Sequence, residues 1–483
     1  MVMKKRSLYC ALMLVLLAAM LWTCAVNPVT GKRELMLLSE ANEVALGQQT
    51  DAEVIATYGL YDDAALTAYV AQIGQRMAAL SHRPGLKYSF KVLDTPVVNA
   101  FAVPGGYIYL TRGIMSYLND EAELAGVIGH ELGHVCARHT ATQYTRAQLV
   151  QVGLGLGSML SEDFRKYAGI ASFGVNLLFL RFSRDNERQA DDLGVEYSSK
   201  AGYDANAMAE FFNTLEQMDG SSSSSGLPEW FSTHPNPEDR IGAVRRKTAE
   251  WQQKLANIKF VTNKDQYLAA VNGMVYGEDP RQGYVDGQAF YHPTLKFVLP
   301  LPSNWTVNNT PSQLQFLAPN QDAAIMLTAA GGQTAQAAAS AFVQQSGATV
   351  QKNDAVTLNG LPVQRVLSSV TTESGTLTVL SYFIQKDNLV YTLHGMSDPA
   401  KYSSYSSTFT GTMGQFKNLT DAAKMQIKPT LLSVKTNKSA GTVAAALRSS
   451  GVAEKELATM ALLNGKKLED RLSANTKFKL ISK

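Results

Sequence analysis

Residues 122–134 of this chain read AELAGVIGHELGH. Their apolar side chains recur with helical spacing, so we predict a helix over residues 120–139. His130 and His134 are four residues apart and therefore lie on one face of that helix, where both imidazoles can bind a single ion. Glu131 projects beside the same ion and is placed to take a proton from a bound water. This arrangement indicates the zinc site of a hydrolase.

A downstream segment, ERQAD at residues 187–191, supplies the candidate for a third ligand. A catalytic zinc ion takes three protein ligands and keeps a fourth position open. Glu187 is the best candidate for the third ligand. Asp191 is four residues further along the predicted helix, on the same face, where it can orient a histidine by accepting a hydrogen bond. Two acids at this spacing usually lie on the solvent-exposed face of a helix. We interpret them as part of a metal site only because the first motif is also present.

A further histidine lies in STHPNPEDR at residues 232–240, after a glycine- and serine-rich stretch that predicts a flexible loop. We hypothesise that His234 either donates to the oxyanion of a tetrahedral intermediate or moves onto the zinc and closes the site. A core or capping role is the alternative. Arg240 can support either arrangement by pairing with a carboxylate. The other four histidines lack partners at ligand spacing and are interpreted as structural: His82, His139, His292 and His394.

Three segments together resemble the M48 family of zinc metallopeptidases: residues 130–134, residues 187–191, and NAFAVPGG at residues 99–106. The segment 232–240 is similar to a further motif of the same family. The resemblance extends over about residues 26–250 and is greatest for bacterial periplasmic members.

The resemblance implies a set of site residues. His130, His134 and Glu187 would bind one zinc ion per chain. Glu131 would act as the catalytic acid and base. The complete set of candidates is catalytic Glu131 and His234, metal ligands His130, His134 and Glu187, and the supporting residues Asp191 and Arg240.

Residues 107–110, YIYL, predict a strand directly after the Pro-Gly-Gly of residues 104–106. Peptidases of this architecture bind an extended substrate along a sheet edge through main-chain hydrogen bonds. The strand is therefore either that substrate-binding edge or an ordinary core strand.

The composition excludes some classes of function. The chain has 483 residues, of which 45% are apolar and 18% charged, and this is typical of a folded protein. The 44 Lys and Arg fall to 41 without Lys4, Lys5 and Arg6, which equals the 41 Asp and Glu. A mature net charge of zero argues against electrostatic binding of nucleic acid.

Residues 1–24 predict a signal peptide, because a basic start precedes an apolar run at 8–22 that is short for a membrane span. The end of this run resembles the lipobox of bacterial lipoproteins, which implies a lipid on Cys24. Residues 27–31, NPVTG, are similar to the segment that follows the lipid-bearing cysteine in periplasmic M48 proteins. We therefore expect a periplasmic protein that is lipid-anchored to the outer membrane. Ordinary cleavage after Ala25 is the alternative.

The chain is predicted to be α+β. Its parts are a signal peptide at 1–24, a mainly helical zincin-type peptidase domain with a small sheet at 25–255, a linker at 256–286, an α/β sandwich at 287–420 and a βααβ module at 430–483. The opening of the sandwich is similar to Mog1/PsbP-like domains, and the module resembles a degenerate LysM module. That module lacks the Asp usual between Gly441 and Thr442, so peptidoglycan binding and interdomain packing are both open.

Taken together, the residues indicate a zinc-dependent endopeptidase. The resemblance implies that its partners are unfolded or misassembled cell-envelope proteins. One rival is a non-catalytic, chaperone-like envelope protein whose zinc site is sealed and structural. Another is a cell-wall-associated protein led by the LysM-like module.

Overall fold

The computed structural model describes residues 24–153, 181–221, 229–236, 239–372 and 375–482. Residues 1–23 of the predicted signal peptide and most of the predicted glycine- and serine-rich loop lie outside these ranges. The described residues form two compact units. The first unit contains residues 24–55, 60–277 and 430–482, and the second contains 56–59 and 278–429. Within the described ranges, no helix combines the length and apolar character of a membrane span.

The elements from residue 24 to residue 277 are mostly helices. They are β1 (Cys24–Val26), β2 (Arg33–Leu35), α1 (Glu40–Tyr58), α2 (Ala64–Ala78), β3 (Ser89–Leu93), β4 (Ala100–Val103), β5 (Tyr107–Thr111), α3 (Arg112–Tyr117), α4 (Glu121–Cys136), α5 (His139–Gly153), α6 (Arg184–Lys200), α7 (Asn206–Ser221), α8 (Glu229–Thr233), α9 (Arg240–Lys254) and α10 (Lys264–Val271). Mainly helical structure with a small sheet is what the sequence predicts, and the α+β class is confirmed.

Helix α4 carries the histidine motif and is buried along its whole length. It begins at its Asp120 cap, whose side chain accepts a hydrogen bond from Glu123 N. The predicted continuation to residue 139 is wrong, because α4 ends at Cys136 and Arg138 has a positive φ of 56°. A non-glycine residue in this left-handed region interrupts the helix. His139 therefore begins a new helix, α5, that leaves in another direction.

Two glycines allow α4 and α6 to approach closely. A Cβ on Gly129 would meet the backbone oxygen of Gly194 at 2.9 Å, and one on Gly133 would meet Ala190 at 3.0 Å. Larger residues at these positions would push the helices apart. This close approach brings the motif histidines of α4 against the acids of α6.

The small sheet has the order β3-β5-β4, with β3 and β5 parallel and β4 and β5 antiparallel. Strand β5, residues 107–111, is therefore central and pairs on both sides. The interpretation of residues 107–110 as a substrate-binding edge is wrong, and they form an ordinary core strand. The two edge strands are β3 and β4, and β4 comes from the NAFAVPGG segment.

Residues 430–482 belong to the first unit. They contain β17 (Leu431–Thr436), β18 (Gly441–Thr442), α14 (Val443–Ser449), α15 (Leu457–Leu463), β19 (Arg471–Leu472) and β20 (Lys477–Ser482). Strands β17 and β20 pair antiparallel around the two helices, which is the predicted βααβ arrangement. Their buried side chains, including Leu432, Leu447 and Phe478, belong to the same apolar core as Leu118. The domain limits inferred from the sequence stay predictions.

The second unit is built around a seven-stranded antiparallel sheet. Its elements are β6 (Tyr284–Asp286), β7 (Ala289–His292), β8 (Phe297–Pro300), β9 (Thr306–Asn309), β10 (Leu314–Leu317), β11 (Ala323–Gly331), α11 (Ala335–Ser346), β12 (Thr349–Leu358), β13 (Leu361–Thr372), β14 (Gly375–Lys386), β15 (Leu389–Ser397), α12 (Tyr402–Met413), β16 (Lys417–Asn418) and α13 (Ala422–Met425). The order of the large sheet is β12-β13-β14-β15-β11-β10-β9, and β16-β8-β7-β6 form a second sheet.

Successive residues of β14 face opposite sides of the large sheet. Phe383 packs in one apolar cluster with Ala339 of α11. Tyr382 packs in another cluster with Phe409 of α12 and with residues of the smaller sheet. Both faces of the sheet are thus covered, as in the predicted α/β sandwich.

Candidate metal centre

Four side chains from three places in the chain converge in the first unit. His130 and His134 come from α4, Glu187 comes from the first turn of α6, and His234 directly follows α8. One ligand atom from each lies within 4.8 Å of the ligand atoms of the other three. All four side chains are buried. The structure thus brings together the three predicted metal ligands and His234.

The distances between the four ligand atoms are those of a small tetrahedron. His130 Nε2 lies 3.0 Å from His134 Nε2 and 3.3 Å from His234 Nδ1. Glu187 Oε1 lies 3.1 Å from His234 Nδ1 and 3.5 Å from His134 Nε2. Ligands at about 2.0–2.1 Å from a tetrahedral zinc ion stand about 3.3 Å apart. The donor set of imidazoles and a carboxylate, with these spacings, fits zinc.

Asp191 and Arg240 support the first histidine. His130 Nδ1 lies 2.9 Å from Asp191 Oδ1, so the imidazole donates to this carboxylate and directs Nε2 at the other ligands. Arg240 donates to both oxygens of Asp191 at 2.8 Å and to Glu187 Oε2 at 3.3 Å. The guanidinium thereby joins a ligand to the residue that orients another ligand. Both residues lie where the sequence analysis placed them, beside the ligands.

Helix α9, which presents Arg240, begins at that residue. The preceding residue, Asp239, has a positive φ of 53° and bonds Arg246 at 2.8 Å. Because Arg240 is the first residue of the helix, its side chain extends from the helix end into the buried cluster.

His139 is a site residue that the sequence analysis missed. Its Nδ1 lies 3.0 Å from His134 Nδ1, and its Nε2 lies 2.9 Å from Gln189 Oε1. It is buried. Its position five residues after His134 does not match helical spacing, so periodicity gave no signal. The signal is structural, because the left-handed Arg138 turns the chain back toward the motif.

Two aromatic rings enclose the centre. Trp230 stacks on His234 with a ring separation of 4.4 Å and an angle of 26°. Phe182 lies 4.1 Å from the ring of His134, and its backbone N–H donates to Thr233 O. These contacts hold His234 in contact with the other ligands. Apolar rings around a metal site also limit access of solvent.

Glu131 lies next to the cluster with its carboxylate facing His234. Glu131 Oε1 is 3.7 Å from His234 Nε2. Neither atom has a hydrogen-bond partner among the described residues. Buried polar atoms without partners are costly and mark a place where another group is expected. Burial raises the pKa of Glu131 above that of a free carboxyl group, which is the direction expected of a general acid and base.

Burial and neighbouring charges also shift the pKa values of other groups of the site. Burial is the main reason that the pKa of His134 lies well below its usual value, and the neighbouring histidines add to it. Burial alone would raise the pKa of Asp191, but the charge of Arg240 and the bond to His130 outweigh it and lower that pKa. Neutral imidazoles and ionised carboxylates are the forms that bind metal.

The comparisons with known proteins agree with this geometry. Residues 64–248 match Peptidase family M48. Zinc is the cofactor that the family and the donor set define.

Two relatives are similar to this chain in sequence. The beta-barrel assembly-enhancing protease of Escherichia coli (strain K12) is 30% identical over 241 residues, which are 48% of this chain and 48% of that protein. The mitochondrial metalloendopeptidase OMA1 of Schizosaccharomyces pombe is 34% identical over 231 residues, which are 46% of this chain and 65% of the relative. The chain thus spans about half the length of the first relative.

One solved structure is also similar to this chain. The solution structure of cyanobacterial PsbP from Synechocystis sp. PCC 6803 is 11% identical, with a TM-score of 0.25, and covers 28% of this chain and 98% of that chain. A similarity at this level supports no conclusion about the fold.

Proposed function

We propose that this protein is a zinc-dependent endopeptidase. One observation carries the proposal: His130, His134 and Glu187 present their ligand atoms at the spacing of a zinc site, with Glu131 directly beside them. Bound zinc would polarise the scissile carbonyl and acidify an attacking water. The M48 domain supports the same assignment.

Glu131 is the acid and base of the proposed reaction. Glu131 directly follows the ligand His130 in the sequence. Burial raises the pKa of its carboxyl group. It would take the proton of the attacking water and deliver it to the leaving amine. Arg240 and Asp191 hold the ligands in place and do not contact the reacting atoms.

We assign His234 to closing the site. Its Nδ1 occupies the fourth corner of the tetrahedron of ligand atoms. During hydrolysis a water or substrate oxygen must occupy that position. The structure therefore favours the closing role over the oxyanion role in this conformation.

The variant His234→Ala tests this assignment. We expect peptidase activity to rise several-fold, because the fourth position becomes open. Lower activity would favour the oxyanion role, and unchanged activity would defeat both roles. His82→Ala is a matched control, because His82 bonds Tyr197 away from the site.

The substrate is expected to add to β4, an edge strand of the small sheet whose four residues are buried in this structure. Thr111 N donates to Asn99 O, so the backbone groups of Ala100 and Ala102 point away from β5 in the alternating antiparallel pattern. The backbone N–H of Trp230 donates to Val98 O on the same side of the strand. The segment that carries His234 thus bonds the edge at which substrate would pair.

The proposed substrates are unfolded or misassembled proteins of the cell envelope. The basis is the name of the Escherichia coli relative, a beta-barrel assembly-enhancing protease. We also propose a periplasmic location with a lipid on Cys24 and attachment to the outer membrane. Labelling with a radioactive fatty acid, compared between the wild type and Cys24→Ser, tests the attachment.

A second function has one specific observation in its favour. Structural zinc sites are closed by four protein ligands, and His234 supplies a fourth here. This arrangement is compatible with a chaperone-like envelope protein that does not cleave its partners. Unfolded casein distinguishes the two functions: cleavage that a chelator abolishes and zinc restores establishes the peptidase, and stable binding without cleavage establishes the alternative.

A peptidoglycan partner remains a separate proposal. Thr442 of the LysM-like module caps α14 by accepting from Ala445 N, and the module shares the core of the first unit. These contacts support packing as the role of the module. Sedimentation of the whole chain with purified peptidoglycan tests the partner directly.

A further inference from the structure

We propose that His139 is a positioning residue that fixes the proton and ring orientation of the metal ligand His134. This inference rests on the proposed zinc site and concerns a histidine that has no assigned role. The observations that carry it are two hydrogen bonds in series, from His134 to His139 and from His139 to Gln189.

The donors and acceptors of these two hydrogen bonds can be assigned in only one consistent way. His134 directs Nε2 at Glu187, so a neutral metal-binding ring must carry its proton on Nδ1. That proton is donated to His139 Nδ1 at 3.0 Å, which leaves the proton of His139 on Nε2. His139 Nε2 then donates to Gln189 Oε1 at 2.9 Å. The amide oxygen of Gln189, the last acceptor of this series of hydrogen bonds, therefore determines which nitrogen of His134 is free for the metal.

The backbone places His139 for this purpose. Arg138, in its left-handed conformation, donates through Nε to Glu43 Oε2 at 2.9 Å and through Nη2 to Leu38 O at 2.9 Å. Glu43 also accepts from Arg83 at 2.9 Å. A buried ion-paired network thus holds the turn from which the His139 side chain reaches His134.

The two histidines of the motif receive different support from the same helix. His130 donates to a carboxylate, Asp191, whereas His134 donates to a neutral imidazole that ends on a neutral amide. Anionic partners make a coordinated imidazole a stronger donor. Helix α6 thereby supplies one ligand, Glu187. It also supplies the last hydrogen-bond acceptor behind each histidine, which is Asp191 for His130 and Gln189 for His134.

The experiment measures zinc affinity by competition with a chromophoric chelator, in the wild type and in three variants. We expect His139→Ala to bind zinc about 10- to 100-fold more weakly. His139→Asn should recover most of the affinity, because its amide oxygen can accept from His134 Nδ1. Gln189→Leu should lose part of the affinity while His139 stays in place. His82→Ala is the matched control and should bind as the wild type does.

The outcomes separate this inference from the proposed function. A wild type that binds no zinc would overturn the metal site itself. A wild type that binds zinc with the same affinity as His139→Ala and Gln189→Leu would overturn the role of His139 alone. The melting temperature of the metal-free variants, compared with that of the metal-free wild type, shows whether any loss of affinity is only a loss of folding. If His139→Ala does not fold, the Asn and Leu variants decide the question.

A separate observation concerns the β1–β2 hairpin, and it does not depend on the zinc site. We infer that the outer face of this hairpin contacts a negatively charged lipid bilayer. Register pairs Val26 with Arg33 and Cys24 with Leu35. Paired residues of an antiparallel sheet lie on the same face. Val26, Arg33 and Leu35 therefore share one face.

The two faces of the hairpin differ sharply in exposure. The inner face packs Met36, with Ala25 beside it, against Ala141 of α5. On the outer face Val26 is 54% exposed and Leu35 is 39% exposed, and Leu37 further along is 42% exposed. Three of the seven large apolar side chains recorded as exposed in the described part of the chain thus fall within twelve residues.

Charge identifies the occupant of this face. Lys32, Arg33 and Arg146 are exposed around the apolar residues. Two acids lie nearby: Glu34 accepts from Asn27, and the exposed Glu40 pairs with Arg83 at 3.5 Å. Apolar side chains surrounded by basic ones suit the interface of a bilayer that contains anionic lipid. Cys24, the proposed lipid attachment, is the first residue of β1, so the anchor would emerge at this hairpin.

Sedimentation with vesicles of phosphatidylcholine and phosphatidylglycerol tests the inference with the chain from residue 24 onward that carries Cys24→Ser, which keeps β1 whole and cannot carry a lipid. We expect Leu35→Ser with Leu37→Ser to weaken binding about tenfold. Lys32→Glu with Arg33→Glu should weaken it on anionic vesicles, and vesicles of phosphatidylcholine alone should bind less. Leu80→Ser, which changes a leucine of 39% exposure elsewhere in the same unit, is the control. Equal binding of the double-serine variant and the control would overturn the inference.

Discussion

The two units of this chain bury different kinds of side chain. The buried residues of the second unit are mainly aliphatic and aromatic, and its buried charges among the described residues are Asp279 and Lys386. The first unit buries many charges: Glu43, Arg83, Arg112, Glu121, Glu123, Glu131, Arg138, Glu187, Asp191, Arg240 and Lys479. Burial of an ion costs several kcal/mol unless it is paired and hydrogen-bonded. Apolar packing therefore dominates the interior of the second unit, whereas the first unit also buries charges, of which Glu131, Glu187, Asp191 and Arg240 lie at the candidate metal centre.

Among the predictions that test this difference between the two units, we expect the largest effect from Glu131→Gln. Glutamine preserves the shape of the side chain but cannot take up the proton, so we expect at least about a thousandfold loss of casein cleavage. Zinc content should stay at one ion per chain, because Glu131 is not a ligand. Cleavage rate and zinc content by atomic absorption are the two measurements.

Glu196→Gln is the matched control for that variant, because it removes a carboxylate that pairs with Lys200 at the edge of the same unit. It should leave cleavage unchanged. Retained turnover in Glu131→Gln would remove this residue from the mechanism.

A core substitution in the second unit tests the other side of the comparison. Phe409 is fully buried and lies 6.3 Å from the ring of Trp305. We expect Phe409→Ala to reduce the free energy of unfolding of this unit by about 3–5 kcal/mol, through lost burial and the cavity left behind. Zinc content should not change.

Urea unfolding followed by tryptophan fluorescence measures this loss, with the exposed Val350→Ala as the control. If Phe409→Ala also releases zinc, the two units do not carry separate tasks.

A smaller effect is expected from Asp191→Asn. The variant keeps an acceptor for His130 Nδ1 but removes the charge that pairs with Arg240 at 2.8 Å. We expect zinc affinity to fall about 10- to 100-fold. Asp192→Asn changes the adjacent acid, which is more exposed and pairs only distantly with Lys247, and should have no effect on affinity. Equal losses in both variants would contradict an orienting role for Asp191.

The same contrast explains what the sequence could and could not predict. In the second unit, the sequence predicts an α/β sandwich, and the structure has a sheet with a helix packed on each face. In the first unit, the four-residue spacing of His130 and His134, with Glu187 as the candidate that the M48 resemblance implies, named residues that the structure brings together. These predictions succeed because they depend on periodicity within one element or on ligand chemistry.

The failures in the first unit have a common physical cause. His139 lies off the helical repeat, and its partner depends on the left-handed turn at Arg138. The sequence left residues 107–110 as either an edge strand or a core strand, because strand order depends on which strands pair in three dimensions. Contacts made by a backbone irregularity or by pairing of distant strands leave no local pattern in a sequence.

The smallest expected effect concerns Lys479, a buried charge far from the zinc ligands in sequence. Its Nζ donates to Ser116 O and Leu118 O at 2.6 Å, next to the start of α4. Burial lowers the pKa of Lys479 to about 7 from the 10.5 of a free lysine, despite the nearby charge of Glu123. Between these values the unfolded chain binds a proton that the folded chain does not, so stability rises with pH.

Glu123 acts in the opposite direction at lower pH, because burial raises its pKa to about 8. Above this value Glu123 is ionised in both states, so the window from about pH 8.5 to 10 isolates the lysine. There we expect the free energy of unfolding of the wild type to rise with pH by up to about 1.4 kcal/mol per unit relative to Lys479→Met. Lys438→Met, which removes an exposed lysine, is the control and should follow the wild type. Parallel curves for Lys479→Met and the wild type would show that Lys479 is charged in the folded chain, and the first unit would then bury one more ion than the pKa implies.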